Sequence, residues 1–273
     1  MLISYDRFID KVSKKIKSGD DFYLELLNTV IDNPSRYCGL FRLSNAKTKL
    51  IQNVTQSNEI KFGDFMEEIV TEYIDFLGYS NKTKDLGYDV NGDRLNADQV
   101  FMKNDTIYLV EQKIRDDHDS TKKRGQFSNF VKKCELIKQK YPGYKLNASM
   151  WFIDDSLMKN KNYYLGEMRD YKLSQTVLNL YYGHEFFHSL NSGQEAWGEL
   201  LRNLTRMRIE NSDEVVYIPD FDTSEEIFEA LKSITDSRLN KLLSKDPKYA
   251  LLRTELFTSG FNIDRIKKYR RIK

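Results

Sequence analysis

Between Phe62 and Leu77 the apolar residues Phe62, Met66, Ile69, Val70, Tyr73 and Leu77 recur every three or four positions, and Gly78 follows. That period matches an α-helix with one buried stripe and a glycine cap. The pattern then shortens. Residues 85–90, 95–102 and 106–114 are short runs, the last rich in β-branched and aromatic side chains, and they predict three successive antiparallel strands. Asn91-Gly92, a dipeptide favoured in type I′ turns, separates the first two. Lys103-Asn104-Asp105 turns the chain between the second and third.

A second helix is expected over residues 127–141, with Phe130, Cys134, Leu136 and Ile137 apolar and Pro142-Gly143 as its stop. Residues 146–154, containing Met150-Trp151-Phe152-Ile153, read as a buried strand, and 177–182 as a fifth. A helix that returns the chain to the same sheet makes a βαβ unit, so strand 146–154 is expected parallel to 106–114. The polar, basic stretch 159–164 reads as a loop. Residues 1–34 carry helical spacing at Ile9, Val12, Ile16, then Phe22, Leu26, Leu27 and Val30, with a break at Ser18-Gly19-Asp20 and an end at Asn33-Pro34. Further helices are expected over 196–209, 236–243 and 249–256. Thr223-Ser224-Glu225-Glu226 reads as a capping box that opens a helix to Ile234. The fold class expected is α/β: a mixed central β-sheet flanked by helices, with additional helical regions at both ends. The divisions are 1–59, a core at 60–182, and 183–273 with a basic tail.

Composition narrows the class. The chain has 273 residues, 40% hydrophobic and 13% aromatic, enough for a sizeable core. Net charge is +2, from 43 basic and 41 acidic residues, so any polyanion partner must be met by local clustering. Cys38 and Cys134 are far apart without zinc spacing, which fits a reducing cytoplasm. No stretch approaches eighteen apolar residues and no leader pattern opens the chain, so membrane spanning and secretion are not expected.

The chemistry concentrates in residues 95–114. Side chains alternate along a strand, so Glu111 and Lys113 share one face, and a hairpin brings Asp98 beside Glu111. Two carboxylates suit Mg²⁺, which takes one or two of them together with waters and phosphate oxygens. A lysine two residues on can orient a nucleophilic water or neutralise a phosphate. Asp98, twelve intervening residues and Glu111-Gln112-Lys113 resemble the catalytic motif of the PD-(D/E)xK nuclease superfamily, which includes many Type II restriction endonucleases. Ala97 stands where the superfamily motif has proline.

The resemblance implies a restriction-endonuclease-like core and hydrolysis of both strands of double-stranded DNA at a short site. It implies Mg²⁺ as cofactor, with Mn²⁺ able to substitute, a homodimer, and a cognate DNA methyltransferase as functional partner. Asp98 and Glu111 would hold metal and Lys113 would position the water. In the superfamily the helix before the hairpin often carries a metal-orienting glutamate. Gly63-Asp64-Phe65-Met66-Glu67-Glu68 resembles that helix, which assigns the role to Glu67 or to Glu68, with Glu67 nearer the apolar stripe. A Lys/Arg-Gly-Gln stretch often follows the Glu-x-Lys strand. Here Arg115, Lys122, Lys123, Arg124 and Gln126 occupy that place and would contact DNA, against the simpler reading of a solvated loop. Arg36, Arg42, Lys47 and Lys49 belong to a helical support layer or a DNA-facing arm, and the basic end from Arg265 to Lys273 grips a backbone or frays.

A competing motif is His184-Glu185-Phe186-Phe187-His188, which matches the H-E-x-x-H zinc-peptidase signature. It lacks a third downstream histidine, follows a strand-like run through Gly183, and has Asn191 where the longer signature has glycine. Similar Tyr-Gly-x-Glu-Phe-Phe phrases occur in restriction enzymes. A repair or recombination nuclease with the same core is a further alternative.

Overall fold

The computed structural model describes residues 1–16, 19–210 and 218–272. Ser18, part of the expected break, and Lys273, the last residue of the basic end, lie outside the described residues. In chain order the helices and strands are α1 (Tyr5–Lys15), α2 (Gly19–Asp32), α3 (Pro34–Tyr37), α4 (Ala46–Phe76), β1 (Ser80–Asn81), β2 (Asp85–Tyr88), β3 (Arg94–Asn96), β4 (Gln99–Lys103), β5 (Thr106–Lys113), α5 (Ser120–Lys140), β6 (Lys145–Phe152), α6 (Lys161–Asp170), β7 (Thr176–Tyr182), α7 (Glu185–His188), α8 (Gly193–Glu210), α9 (Glu225–Ser233), α10 (Asp236–Leu243), α11 (Pro247–Leu256) and α12 (Phe261–Arg270). Contacts divide the chain into two compact units, Met1–Ile9 with Gly63–Ile209, and Asp10–Phe62 with Glu210–Lys273.

The first unit holds a five-stranded mixed sheet of order β1-β4-β5-β6-β7. β1 and β4 pair antiparallel, as do β4 and β5, whereas β5, β6 and β7 run parallel. The crossover from β5 through α5 to β6 is the expected βαβ unit, and it aligns Glu111 with Met150 and Lys113 with Phe152. One sheet face buries Ile107, Leu109, Ala148 and Met150 with Phe130, Cys134 and Ile137 of α5. On the other, Trp151 meets Phe186 and Phe187, and Phe101 stacks on Tyr108 at 4.8 Å.

Several expected boundaries shift, each for a physical reason. Strand 85–90 does not join the central sheet. It becomes β2, which pairs with β3 in a separate two-stranded sheet, and the two-residue β1 takes the outer place beside β4. The β2–β3 turn is not type I′. Its positive φ falls on Gly92 (82°) and not on Asn91, and Gly92 N–H donates to the Asp89 carbonyl at 3.0 Å. That is a four-residue turn ending in a left-handed glycine. Strand 95–102 is split at Ala97-Asp98: Ala97 N–H still follows the β2 side, donating to the Lys84 carbonyl at 2.8 Å, whereas Gln99 pairs with Val110 of β5.

Helix α5 begins seven residues before its first apolar position. Asp119 caps it, accepting from the N–H groups of Thr121 (3.0 Å) and Lys122 (2.8 Å), so most of the basic stretch expected as loop is helical. The stretch 159–164 likewise runs into α6, whose Tyr164 and Met168 are buried one turn apart. The helix over 62–77 extends back to Ala46 and ends as expected, with Gly78 at φ 76° and Tyr79 N–H on the Ile74 carbonyl.

In the second unit the helices from both ends of the chain share one core. Leu26, Leu27, Val30, Leu50 and Val54 cluster with Ile227, Leu231, Leu239, Leu252 and Ile266. Ser224 caps α9 through the Ile227 N–H. The basic end is helical rather than frayed among the described residues: Arg265 pairs with Glu225 and Arg270 with Asp236.

Just beyond β5, Asp116 is fully buried and anchors the chain that leaves the strand. Its carboxylate accepts from Asn160 N–H, Asn160 Nδ2 and the Tyr182 hydroxyl, each at 2.8 Å. Asp116→Ala strands three buried donors, each costing about 1–3 kcal/mol when unpaired. Urea denaturation should therefore show a loss of about 3 kcal/mol or more, with Asp116→Asn milder because it keeps an acceptor.

Candidate active site

The site forms where the antiparallel and parallel halves of the sheet meet. Asp98 sits in the two-residue link between β3 and β4. Gln99 pairs with Val110, so the next step back places Asp98 level with Glu111. With no strand backbone opposite, the Asp98 carboxylate takes over the ladder and accepts from Gln112 N–H at 2.7 Å. Strand alternation sends Glu111 and Lys113 to the same face. There Lys113 Nζ donates to Asp98 Oδ2 (3.1 Å), Glu111 Oε1 (2.8 Å) and the Gln112 carbonyl (2.9 Å). The structure thus brings together the three residues expected from sequence.

A fourth residue completes the cluster and was missed in the sequence. Lys133, on α5 and 4% exposed, donates through Nζ to Glu111 Oε2 at 2.5 Å. A signal for it exists. Residue 133 lies three positions after Phe130 and four before Ile137, both buried, so this lysine occupies the apolar stripe of its helix. Adjacent Lys132 gave the pair the look of a solvated charge run; Lys132 instead pairs with Asp89 at 2.6 Å.

The electrostatics follow from burial and proximity. Burial pushes the Asp98 carboxyl up, and the Glu111 charge pushes it further against the pull of Lys113 and Lys133. Burial opposes the Glu111 charge too, but Lys113 and Lys133 prevail and hold its carboxyl below the usual range. Burial disfavours the Lys113 ammonium, and Glu111 and Asp98 overcome it, so Lys113 is held above the ordinary lysine value.

Glu67 is not brought into this cluster. Its carboxylate pairs with Lys84 at 2.7 Å, and its carbonyl accepts from Thr71 Oγ1 and Gln99 Nε2. Gln99 adjoins Asp98 but turns its side chain the other way, onto α4. Among the described residues no group of three His, Cys, Asp or Glu is placed to hold an ion. Asp98 and Glu111 are the carboxylates of this cluster, and a pair of this kind could hold Mg²⁺, which takes one or two carboxylates together with waters. Asp98 Oδ1 has no donor among the described residues.

Arg115 is exposed beyond β5, and Lys122 and Arg124 are exposed in the first turns of α5. Lys123 lies over the Tyr163 ring at 4.6 Å. Gln126 Oε1 is engaged by the Tyr164 hydroxyl at 2.8 Å, so that oxygen faces inward. His184 and His188 are both exposed with ring centroids 4.6 Å apart, but α7 is a single turn and Glu185 turns back to accept from Tyr182 N–H at 2.7 Å. The glutamate a zinc peptidase would use as base serves here to close the end of β7.

A family model described as Type II restriction endonuclease, HinfI, matches residues 4–97 and 78–208. The chain belongs to the HinfI family of Type II restriction endonucleases. Asp98, Glu111, Lys113 and Lys133 all fall within the second matched segment, and Glu67 within the first. No curated protein matches the chain. HinfI-family membership makes it a DNA endonuclease, with double-stranded DNA the substrate the family implies and PD-(D/E)xK its general kind, and the mixed sheet flanked by helices is consistent with that core. No described helix is long and apolar enough to cross a membrane.

The charge balance sets a measurable trend. Asp98 is raised in the folded chain, so its contribution to stability is full below the unfolded value and is lost as pH rises through the folded one. Asp98→Asn mimics the protonated form. In EDTA, chemical denaturation should find it as stable as the parent below pH 3.8 and more stable at pH 7. A destabilised variant at pH 7 would mean that the carboxylate is held by more favourable contacts than those described.

Proposed function

We propose that this chain hydrolyses phosphodiester bonds in both strands of duplex DNA at a short recognition sequence, using Mg²⁺ held by Asp98 and Glu111. The observation that carries the reading is the convergence of these two carboxylates on Lys113 within 3.1 Å, in a chain of the HinfI family. A divalent ion at such a carboxylate pair lowers the pKa of bound water and stabilises charge on the phosphate.

The protein's own groups divide the remaining work. Gln112 N–H holds Asp98 Oδ2 from the backbone, a contact that persists when the Lys113 side chain moves. Lys113 is partly exposed and has three acceptors around it, so it can exchange one for a phosphate oxygen or an attacking water. Lys113 is held in its charged form, which makes it a donor and an electrostatic stabiliser rather than the base. Glu67 stands behind the site, its carboxylate paired with Lys84 and its backbone carbonyl held by Gln99, so Asp98 and Glu111 are the acids of this reading. Arg115, Lys122, Lys123 and Arg124 hold phosphates beside the site, and Gln126 lines the same helix start. Mn²⁺ is expected to replace Mg²⁺ because both accept the same hard oxygen ligands. One site per chain and two strands to cut imply a homodimer. Such an enzyme implies a cognate methyltransferase and a cytoplasmic setting.

Plasmid DNA incubated with the protein and Mg²⁺ should yield discrete fragments. Asp98→Ala and Lys113→Ala should each lower the cleavage rate by about a hundredfold or more, the scale set by removing one charged transition-state contact. Filter binding to the same DNA in Ca²⁺ should persist in both variants. Intact plasmid across many sequences, or fragments that survive Asp98→Ala, would sink this reading.

A further inference from the structure

We infer that Lys133 is the fixed counter-ion of Glu111 and that, by occupying Glu111 Oε2, it limits each chain to one divalent ion. The inference rests on Asp98 and Glu111 being the ligands, as proposed above.

The two lysines of the cluster differ in freedom. Lys113 reaches three acceptors and is 28% exposed at its side chain. Lys133 rises from the buried stripe of α5 among Phe130, Cys134 and Ile137, and among the described residues Glu111 Oε2 is its one acceptor. A buried ammonium with a single partner cannot give that partner up without becoming an unpaired charge away from water, which is strongly unfavourable. Lys133 therefore stays on Oε2 whether or not an ion is bound, whereas Lys113 can turn away.

The consequence is a count of available oxygens. Glu111 offers Oε1 once Lys113 moves. Asp98 offers Oδ1, while its Oδ2 already accepts from Gln112 N–H. One octahedral ion completed by waters and phosphate needs no more than these two. A second ion needs further anionic oxygens, and at Glu111 Oε2 it would sit against the Lys133 ammonium held there at 2.5 Å, a like-charge contact that opposes its binding. Glu67 does not supply them, because its carboxylate pairs with Lys84. Lys133 is a positioning residue: it acts through Glu111 and supplies, as a permanent part of the chain, the positive charge that a second cation would bring.

Ion counting tests this without recourse to activity. The full-length chain is titrated with Mn²⁺ alone and bound ions are counted by electron paramagnetic resonance. The parent should bind one ion per chain, Lys133→Arg one, Lys133→Ala two, and Asp98→Ala none. Circular dichroism checks each variant for folding. Should Lys133→Ala unfold, Lys133→Gln, which keeps most of the length without the charge, is counted in its place and should also bind two. Two ions on the parent, or one on a folded neutral variant, overturn the inference while leaving Asp98 and Glu111 as ligands. An Asp98→Ala count equal to the parent's, or no Mn²⁺ on the parent, overturns the ligand reading and the inference with it.

Discussion

The Glu111 carboxylate is divided between two ammonium groups, Lys113 on its own strand and Lys133 on the crossover helix. Neither charge could be buried here alone, because an ion removed from water needs a partner within contact distance. The pairing therefore fixes more than two side chains. It requires α5 to lie against β5 with its residue 133 facing inward, and it requires the chain to break between β3 and β4 so that Asp98 can turn toward the same ammonium. The fold meets both demands locally: α5 starts on the Asp119 cap, and the Asp98 carboxylate substitutes for the missing ladder acceptor at Gln112. Charge pairing, helix placement and the strand break are thus one constraint seen from three elements.

That view explains which parts were legible in the sequence. Asp98, Glu111 and Lys113 lie within a hairpin, where alternation and a short turn determine which side chains meet, so local pattern sufficed. The last half of the long helix, from residue 62 to the Gly78 cap, the parallel return through α5 and the strand expected at 146–154 were legible for the same reason: each has its own period or stop signal. Lys133 was not, because its meaning depends on burial, and a lysine beside another lysine resembles a solvated pair until its helix is docked. Its position in the apolar stripe was the available clue. Glu67 shows the converse. Its place in the helix before the hairpin was legible, but its partner Lys84 comes from an irregular segment whose position no periodicity reveals.

Sheet membership was illegible for a different reason. Residues 85–88 were expected to pair because they precede a turn signal at Asn91-Gly92, and a turn signal states that a segment pairs without stating which sheet it joins. The two residues of β1 are too few to show a period at all, yet they hold the outer position beside β4. Short strands at a sheet edge are set by what the rest of the sheet leaves unpaired, and here the edge is occupied by the segment that follows the Gly78 cap.

The net charge of +2 was also uninformative, and the site shows why. Acidic and basic residues that form the cluster cancel within it: two carboxylates face two ammonium groups, and Lys84 neutralises Glu67. Asp116 and Asp119 nearby are spent on hydrogen bonds that hold the chain, one anchoring the exit from β5 and the other capping α5. Exposed in the stretch that follows β5 are Arg115, Lys122 and Arg124, with Asp117 and Asp119 among them. A polyanion approaching this surface would meet that local arrangement rather than the chain's near-neutral sum. Phosphate binding depends on charges within about a Debye length of the backbone, roughly 8–10 Å at ordinary salt. A nearly neutral chain can therefore carry a local excess of positive charge at its surface, provided its acids are already paired inside.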